Sequence, residues 1–172
     1  MSAPMRDRTV RVGFRQRLAP SLVQDFYPDG MPDDWRNNYL VMLTGAIWIS
    51  EDDADCADVL AAVSQATRPL FTVLQSAQKI RPEIFDEWLA AHPNQSVMVL
   101  GPDEALWRPD SAMTGCRIGL IPAQDKPAVL RAWLEAFAEQ APGSECALFI
   151  DGNAPSVPTL ERVQTLVEFM GW

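Results

Sequence analysis

Six short apolar runs, separated by stretches of helical periodicity, constrain this sequence more than any other feature. They are Val10–Arg15, Ala46–Ser50, Leu70–Gln75, Ser96–Gly101, Arg117–Pro122 and Cys146–Asp151. Parallel neighbours need a long crossover, which a helix supplies, so β-like runs alternating with helices argue for a mainly parallel sheet flanked by helices. Val97 to Leu100 and Ala147 to Ile150 are apolar without interruption, as expected of strands covered on both faces.

The helical stretches follow the same logic. Asp125 is placed to cap a helix with Val129, Leu130, Trp133, Leu134 and Phe137 on one face. A last helix starts near Ser156 and Pro158, carries Leu160, Val163, Val167 and Met170, and stops at Gly171. Asp55–Thr67 has Val59, Leu60 and Val63 on one side, Pro82 opens a helix with Phe85, Trp88 and Leu89 inward, and a short helix is expected over Pro32–Tyr39. Pro102–Cys116 reads as a loop with at most one helical turn, in place of a full crossover helix. The chain has 172 residues, fewer than the roughly 200 of the smallest complete eight-stranded barrels. The expected fold is therefore α/β: a mainly parallel sheet of about six strands with flanking helices, open or incompletely TIM-barrel-like, in a single domain over 1–172.

Charge narrows the functional classes. Fourteen Lys+Arg against 23 Asp+Glu give a net charge of −9, the wrong sign for a general nucleic-acid binder, whose affinity rests on neutralising phosphates. The excess acid is unevenly spread, because residues 1–17 hold Arg6, Arg8, Arg11, Arg15 and Arg17 against Asp7 alone. Those arginines either pair with the acidic body or form a local anion site. Cys56, Cys116 and Cys146 form no C-x-x-C pair and leave an odd thiol, so neither a disulfide framework nor a zinc site is expected, and a reducing cytoplasm fits. No signal-peptide-like apolar stretch opens the sequence and no window suits a membrane span, so no membrane partner is expected.

The segment Phe26-Tyr27-Pro28, followed by Met31-Pro32-Asp33-Asp34-Trp35-Arg36 and Tyr39, resembles the N-terminal signature of the YecE-like family, a domain of unknown function. The resemblance covers residues 8–50 and, more weakly, Ala147–Trp172. It implies a TIM-barrel-like fold shortened by about two units. The first strand runs Val12-Gly13-Phe14-Arg15-Gln16 where the family carries a Gly-Thr-Ser-Gly-Trp-like run, and Phe149-Ile150-Asp151-Gly152-Asn153 stands in for a late Phe-Asn-Asn. The family has no established reaction, so what the resemblance implies is fold.

In parallel α/β folds ligands sit beyond the carboxyl ends of the strands. The polar residues there are Arg15, Gln16 and Arg17; Glu51, Asp52 and Asp53; Gln75; Asp103 and Glu104; Gln124 and Asp125; Asp151 and Asn153. Arg15, Arg17, Asp53, Asp151 and Asn153 are the candidate ligand-binding residues. Asp53 and Asp151 have the hard oxygens that suit Mg²⁺, with Arg15 on a substrate phosphate. Acids just after a strand also cap the following helix, which is their ordinary use. His92, the single histidine, sits at a helix end before the fourth strand, where a cation complements the helix dipole and a catalytic base is out of place. Phosphate loops, dinucleotide fingerprints and H-E-x-x-H are missing from the sequence, so no cofactor is expected. Asp151-Gly152-Asn153 reads as a turn and not a calcium loop. Six tryptophans include Trp107 in the irregular stretch and Trp172 at the end, both suited to covering exposed core or a homodimer seam.

Two functions remain open. One is an α/β domain without an evident catalytic site that acts by binding or self-association. The other is a small-molecule or phosphate-ester enzyme with a strand-end anion or metal site around Arg15, Asp53 and Asp151.

Overall fold

The structure is a computed structural model, and it describes residues 8–77, 87–88, 90–93, 95–124, 126–152 and 156–172. Asn153, Asp125, Pro82, Phe85 and Leu89 lie outside the described residues. Six strands form where the apolar runs stand: β1 Thr9–Phe14, β2 Ala46–Ser50, β3 Phe71–Gln75, β4 Ser96–Leu100, β5 Ile118–Pro122 and β6 Glu145–Asp151. Five helices are assigned among the described residues: α1 Pro20–Phe26, α2 Asp33–Leu43, α3 Cys56–Gln65, α4 Pro127–Gln140 and α5 Val157–Phe169. The fold is α/β, and all pairings among the described strands are parallel. The strands divide into two open three-stranded sheets, β1-β6-β5 and β2-β3-β4.

Contacts gather into two compact units, Met1–Phe26 with Ala105–Trp172 and, inserted between them, Tyr27–Glu104. In the first, β6 is the central strand and is buried from Cys146 to Ile150, as its continuous apolar run predicts. Helices α4 and α5 pack on each other, α5 also packs on β1, and Leu130, Leu134, Phe137, Leu160, Val163 and Val167 point inward. Ser156 caps α5 by accepting the Thr159 N–H at 3.4 Å. Phe14 meets Phe26 of α1 edge-on, with centroids 5.8 Å apart.

In the second unit β3 is central and its first four residues are buried. β4, read from Val97-Met98-Val99-Leu100 as covered on both faces, is instead an edge strand, with only Leu100 buried and Val99 exposed. It pairs with β3 alone among the described strands, and an edge strand offers one side of its backbone and much of its surface to water. α2 runs four residues beyond the expected Tyr39 because Leu40 and Val41 still have a buried side to fill. The segment Tyr27 to Arg36 is drawn together by Tyr27 against Tyr39 at 6.0 Å and the Arg36 guanidinium 5.6 Å over the Tyr27 ring. Trp88 donates to the Ser64 hydroxyl at 3.0 Å, and His92 stacks on Trp88, with ring centroids 4.6 Å apart and its Nδ1 2.7 Å from the Trp88 carbonyl. His92 is thus absorbed into local packing, consistent with a structural use.

Candidate functional site

The strand ends of the first unit bring three charged side chains together. The β1-β6 register places Phe14 opposite Ile150, and the ladder continues one step further through the Arg15 N–H, which donates to the Ile150 carbonyl at 3.0 Å. Arg15 and Asp151 therefore emerge side by side. Arg15 Nη1 lies 3.2 Å from both Asp151 oxygens. The chain turns away immediately afterwards at Gly152, whose φ of 130° is open to glycine and strained for other residues. The Gly152 N–H is taken by Gln16 Oε1 at 3.0 Å, which ties the two strand ends a second time.

Arg108 completes the cluster, and no strand-end reading finds it because it stands in the irregular stretch. Its placement begins with Trp107, which forms an isolated parallel bridge with Gly119 on β5. The Trp107 N–H donates to the Ile118 carbonyl at 3.1 Å, and the Leu120 N–H donates to the Trp107 carbonyl at 2.8 Å. The indole is buried against Phe137, with centroids 5.3 Å apart. Only glycine fits opposite: a Cβ on Gly119 would lie 2.6 Å from Leu148 Cδ2 and 3.0 Å from Phe137 Cε2. A turn follows, in which the Ser111 hydroxyl donates to the Arg108 carbonyl at 2.8 Å and accepts the Arg108 N–H at 2.9 Å. Arg108 Nη1 then reaches Asp151 Oδ2 at 3.1 Å. Trp107, expected to cover exposed core or a homodimer seam, is buried within its own unit, and it is the anchor that aims Arg108.

Asp151 is thus shared by two guanidiniums. Burial alone would raise its pKa, yet the pull of Arg15, with hydrogen bonds from Arg108, Arg15 and Gln16, outweighs burial and holds the carboxyl below its ordinary value. A folded-state pKa below the unfolded one stabilises the protein fully above the ordinary carboxylate range, and the contribution disappears as pH falls through the depressed value. Arg108 is 47% exposed and Arg15 28%, so the contribution is of the order of 1 kcal/mol or less. The expected result is that Asp151→Asn lowers the urea midpoint at pH 7 slightly and that the difference from the parent closes below about pH 4; an unchanged gap at pH 3 would contradict it.

The other candidates fall elsewhere. Arg17 is buried, at 3% exposure. Asp53 belongs to the second unit, just after β2, where its Oδ2 accepts the Ser50 N–H at 2.9 Å and closes a turn back onto the strand. The helix cap expected from Asp52 to Asp55 is not made by Asp55, which stands at the start of α3 without a side-chain cap bond, while Asp53 bonds back to the strand instead. Glu51 does comparable structural work, accepting hydrogen bonds from the Ser76 hydroxyl and, at 2.8 Å, from the Ala77 N–H. Among the described residues no group of three or more His, Cys, Asp or Glu could hold a metal ion, and no described helix is long and apolar enough to cross a membrane. Of the N-terminal arginines, Arg11 pairs with Glu145 at 3.3 Å, so pairing with acid accounts for it. At Arg15 the acid is already shared with Arg108. No family model, curated protein or solved structure matches this chain.

Proposed function

We propose that the protein acts by binding, and that its ligand is a small molecule with an oxyanion group, a phosphate ester or a carboxylate, held at the strand ends of the first unit. Arg15 and Arg108 are the charged contacts, and both rest on Asp151, whose carboxylate a ligand anion would compete with. The observation that carries this reading is the convergence of two arginines from distant parts of the chain on one carboxylate. Three charges in a cluster leave one positive charge over, in a chain whose net charge is −9. Exposed Arg108 can turn its donors to a ligand oxygen without a buried group being uncovered, and a guanidinium suits the planar, paired oxygens of phosphate and carboxylate. Phosphate-ester chemistry on a metal held by Asp53 and Asp151 has less support, because Asp151 spends its oxygens on arginines and Asp53 spends Oδ2 on the Ser50 amide.

The kinship with YecE-like proteins belongs to the same proposal. The parallel pairing of β1 with β6 and the alternation of strands and helices support it. A reducing, cytoplasmic setting is supported by the odd count of three cysteines without a C-x-x-C pair.

A thermal-shift panel of phosphate esters, carboxylates, nucleotides and divalent cations tests the binding reading. A ligand at a hundred times its dissociation constant adds about 2.7 kcal/mol, which for a chain of this length raises the midpoint by roughly 5 to 11 °C. The expected hits are anions alone. Stabilisation by divalent cations without an anion would favour the metal reading, and a flat panel would remove the ligand site.

A further inference from the structure

Arg8 stands one residue before β1, and the alternation of burial through Arg8, Val10 and Val12 puts it on the sheet face of those two valines. It is 6% exposed, yet among the described residues neither its Nε nor its Nη1 finds a hydrogen-bond partner. A guanidinium keeps its charge throughout the pH range of folded proteins, and a buried charge is costly unless an opposite charge meets it. The surroundings supply none. The strand register sets Val10 beside Cys146, and on the far side the Ala147 N–H donates to the Arg117 carbonyl at 2.9 Å, which brings half-buried Arg117 alongside Cys146. Glu145, next to Cys146 in the strand, belongs to the opposite face, where Arg11 engages its carboxylate at 3.3 Å. The Cys146 thiol is no counter-charge either, because burial pushes its pKa up to about 11 against the pull of Arg8 and Arg117.

We infer that Arg8 and Arg117 hold one small monovalent anion, of the chloride kind, at the amino ends of β1, β6 and β5. Its charge is what the site lacks. A water molecule there takes a hydrogen bond but leaves the guanidinium uncompensated, and buried polar groups without a partner in the protein are where bound ions belong. One negative charge matches the one unpartnered guanidinium, and at 6% exposure Arg8 is open to a single ion rather than to an ester. The position is independent of the strand-end cluster. From Cys146 to Asp151 β6 extends roughly 16 Å, so this second site neither rests on the oxyanion reading nor competes for its residues.

The test exchanges sodium gluconate, whose anion is too bulky for such a site, for sodium chloride at constant ionic strength, with the whole chain and its melting midpoint as the readout. Chloride at ten times its dissociation constant should raise the midpoint by roughly 3 to 6 °C. Arg8→Met keeps the length of the side chain and removes its charge, and it should make the midpoint indifferent to the exchange. Arg15→Ala should leave the chloride response intact. In the unsubstituted chain the nitrogen-15 signal of the Arg8 Nε–Hε group should move along a saturating curve as chloride replaces gluconate, a reading that holds even where Arg8→Met fails to fold. An Arg8 signal that stays still would overturn the inference. Equal midpoints in the two salts would do the same, as would a chloride response that survives Arg8→Met or disappears with Arg15→Ala.

Discussion

Gly119→Val is expected to destabilise the first unit by about 3 kcal/mol, the upper part of the range for forcing extra carbons into a packed interior. The Cβ alone would lie 2.6 Å from Leu148 Cδ2 and 3.0 Å from Phe137 Cε2, and both side chains are fully buried. Leu148 cannot swing away without displacing its neighbours on central β6, and Phe137 is also the surface on which Trp107 rests. The Trp107 bridge to Gly119 is lost with the same change, so Arg108 is no longer aimed at Asp151. For a chain of this length the midpoint should drop by roughly 6 to 12 °C, and the variant should lose anion stabilisation more fully than its stability loss alone explains. A loss under about 1 kcal/mol would mean that the Trp107 segment gives way easily and does not position Arg108.

The second large effect concerns the sign of the charge at the strand ends. Arg15→Ala leaves Asp151 with Arg108 alone and brings the local charge to zero, so affinity for inorganic phosphate should fall at least tenfold. Asp151→Asn keeps the size of the side chain, removes the competing carboxylate and leaves two positive charges, so phosphate affinity should rise several-fold. Both effects should shrink as salt rises from 10 mM to 150 mM, because both arginines are partly exposed. A metal-binding role for Asp151 predicts the opposite, since the amide would abolish divalent binding and phosphate binding together. Isothermal titration of the two variants separates the readings in a single comparison.

The strands were legible because each run is local, apolar and short, and all six lie within a residue or two of their expected ends. Which strands pair was not. Apolar character reports burial and says nothing of the neighbour, so the division into β1-β6-β5 and β2-β3-β4 has no local signature, and neither has the edge position that exposes Val99. Helix α1 went unread because seven residues with buried Leu22 and Phe26 show too little periodicity to stand out, although Pro20 at its start is a usable signal. At the site, Arg15 and Asp151 follow from one rule, that polar residues just past parallel strands gather at one end of a sheet. Arg108 escapes that rule because a single bridged residue, Trp107, acts as a strand that no pattern announces. The signal available was the Leu106-Trp107 pair inside the irregular stretch, a large apolar side chain that calls for a place to be buried. Trp35 shows the reverse: it stands in the short helix expected over Pro32–Tyr39, and it is among the most exposed large apolar side chains described.

The most direct test watches the two guanidiniums themselves. In nitrogen-15 spectra of the arginine Nε–Hε groups, with Arg15 and Arg108 assigned by substitution, inorganic phosphate added at low ionic strength should move both signals along one saturating curve. Arg131, which is exposed on α4 and paired with Glu135 at 2.9 Å, should stay in place. Signals of Arg15 and Arg108 that stay still, or that drift no further than that of Arg131, would contradict an anion site at the strand ends and leave the cluster as a structural tie between β1, β6 and the Trp107 segment.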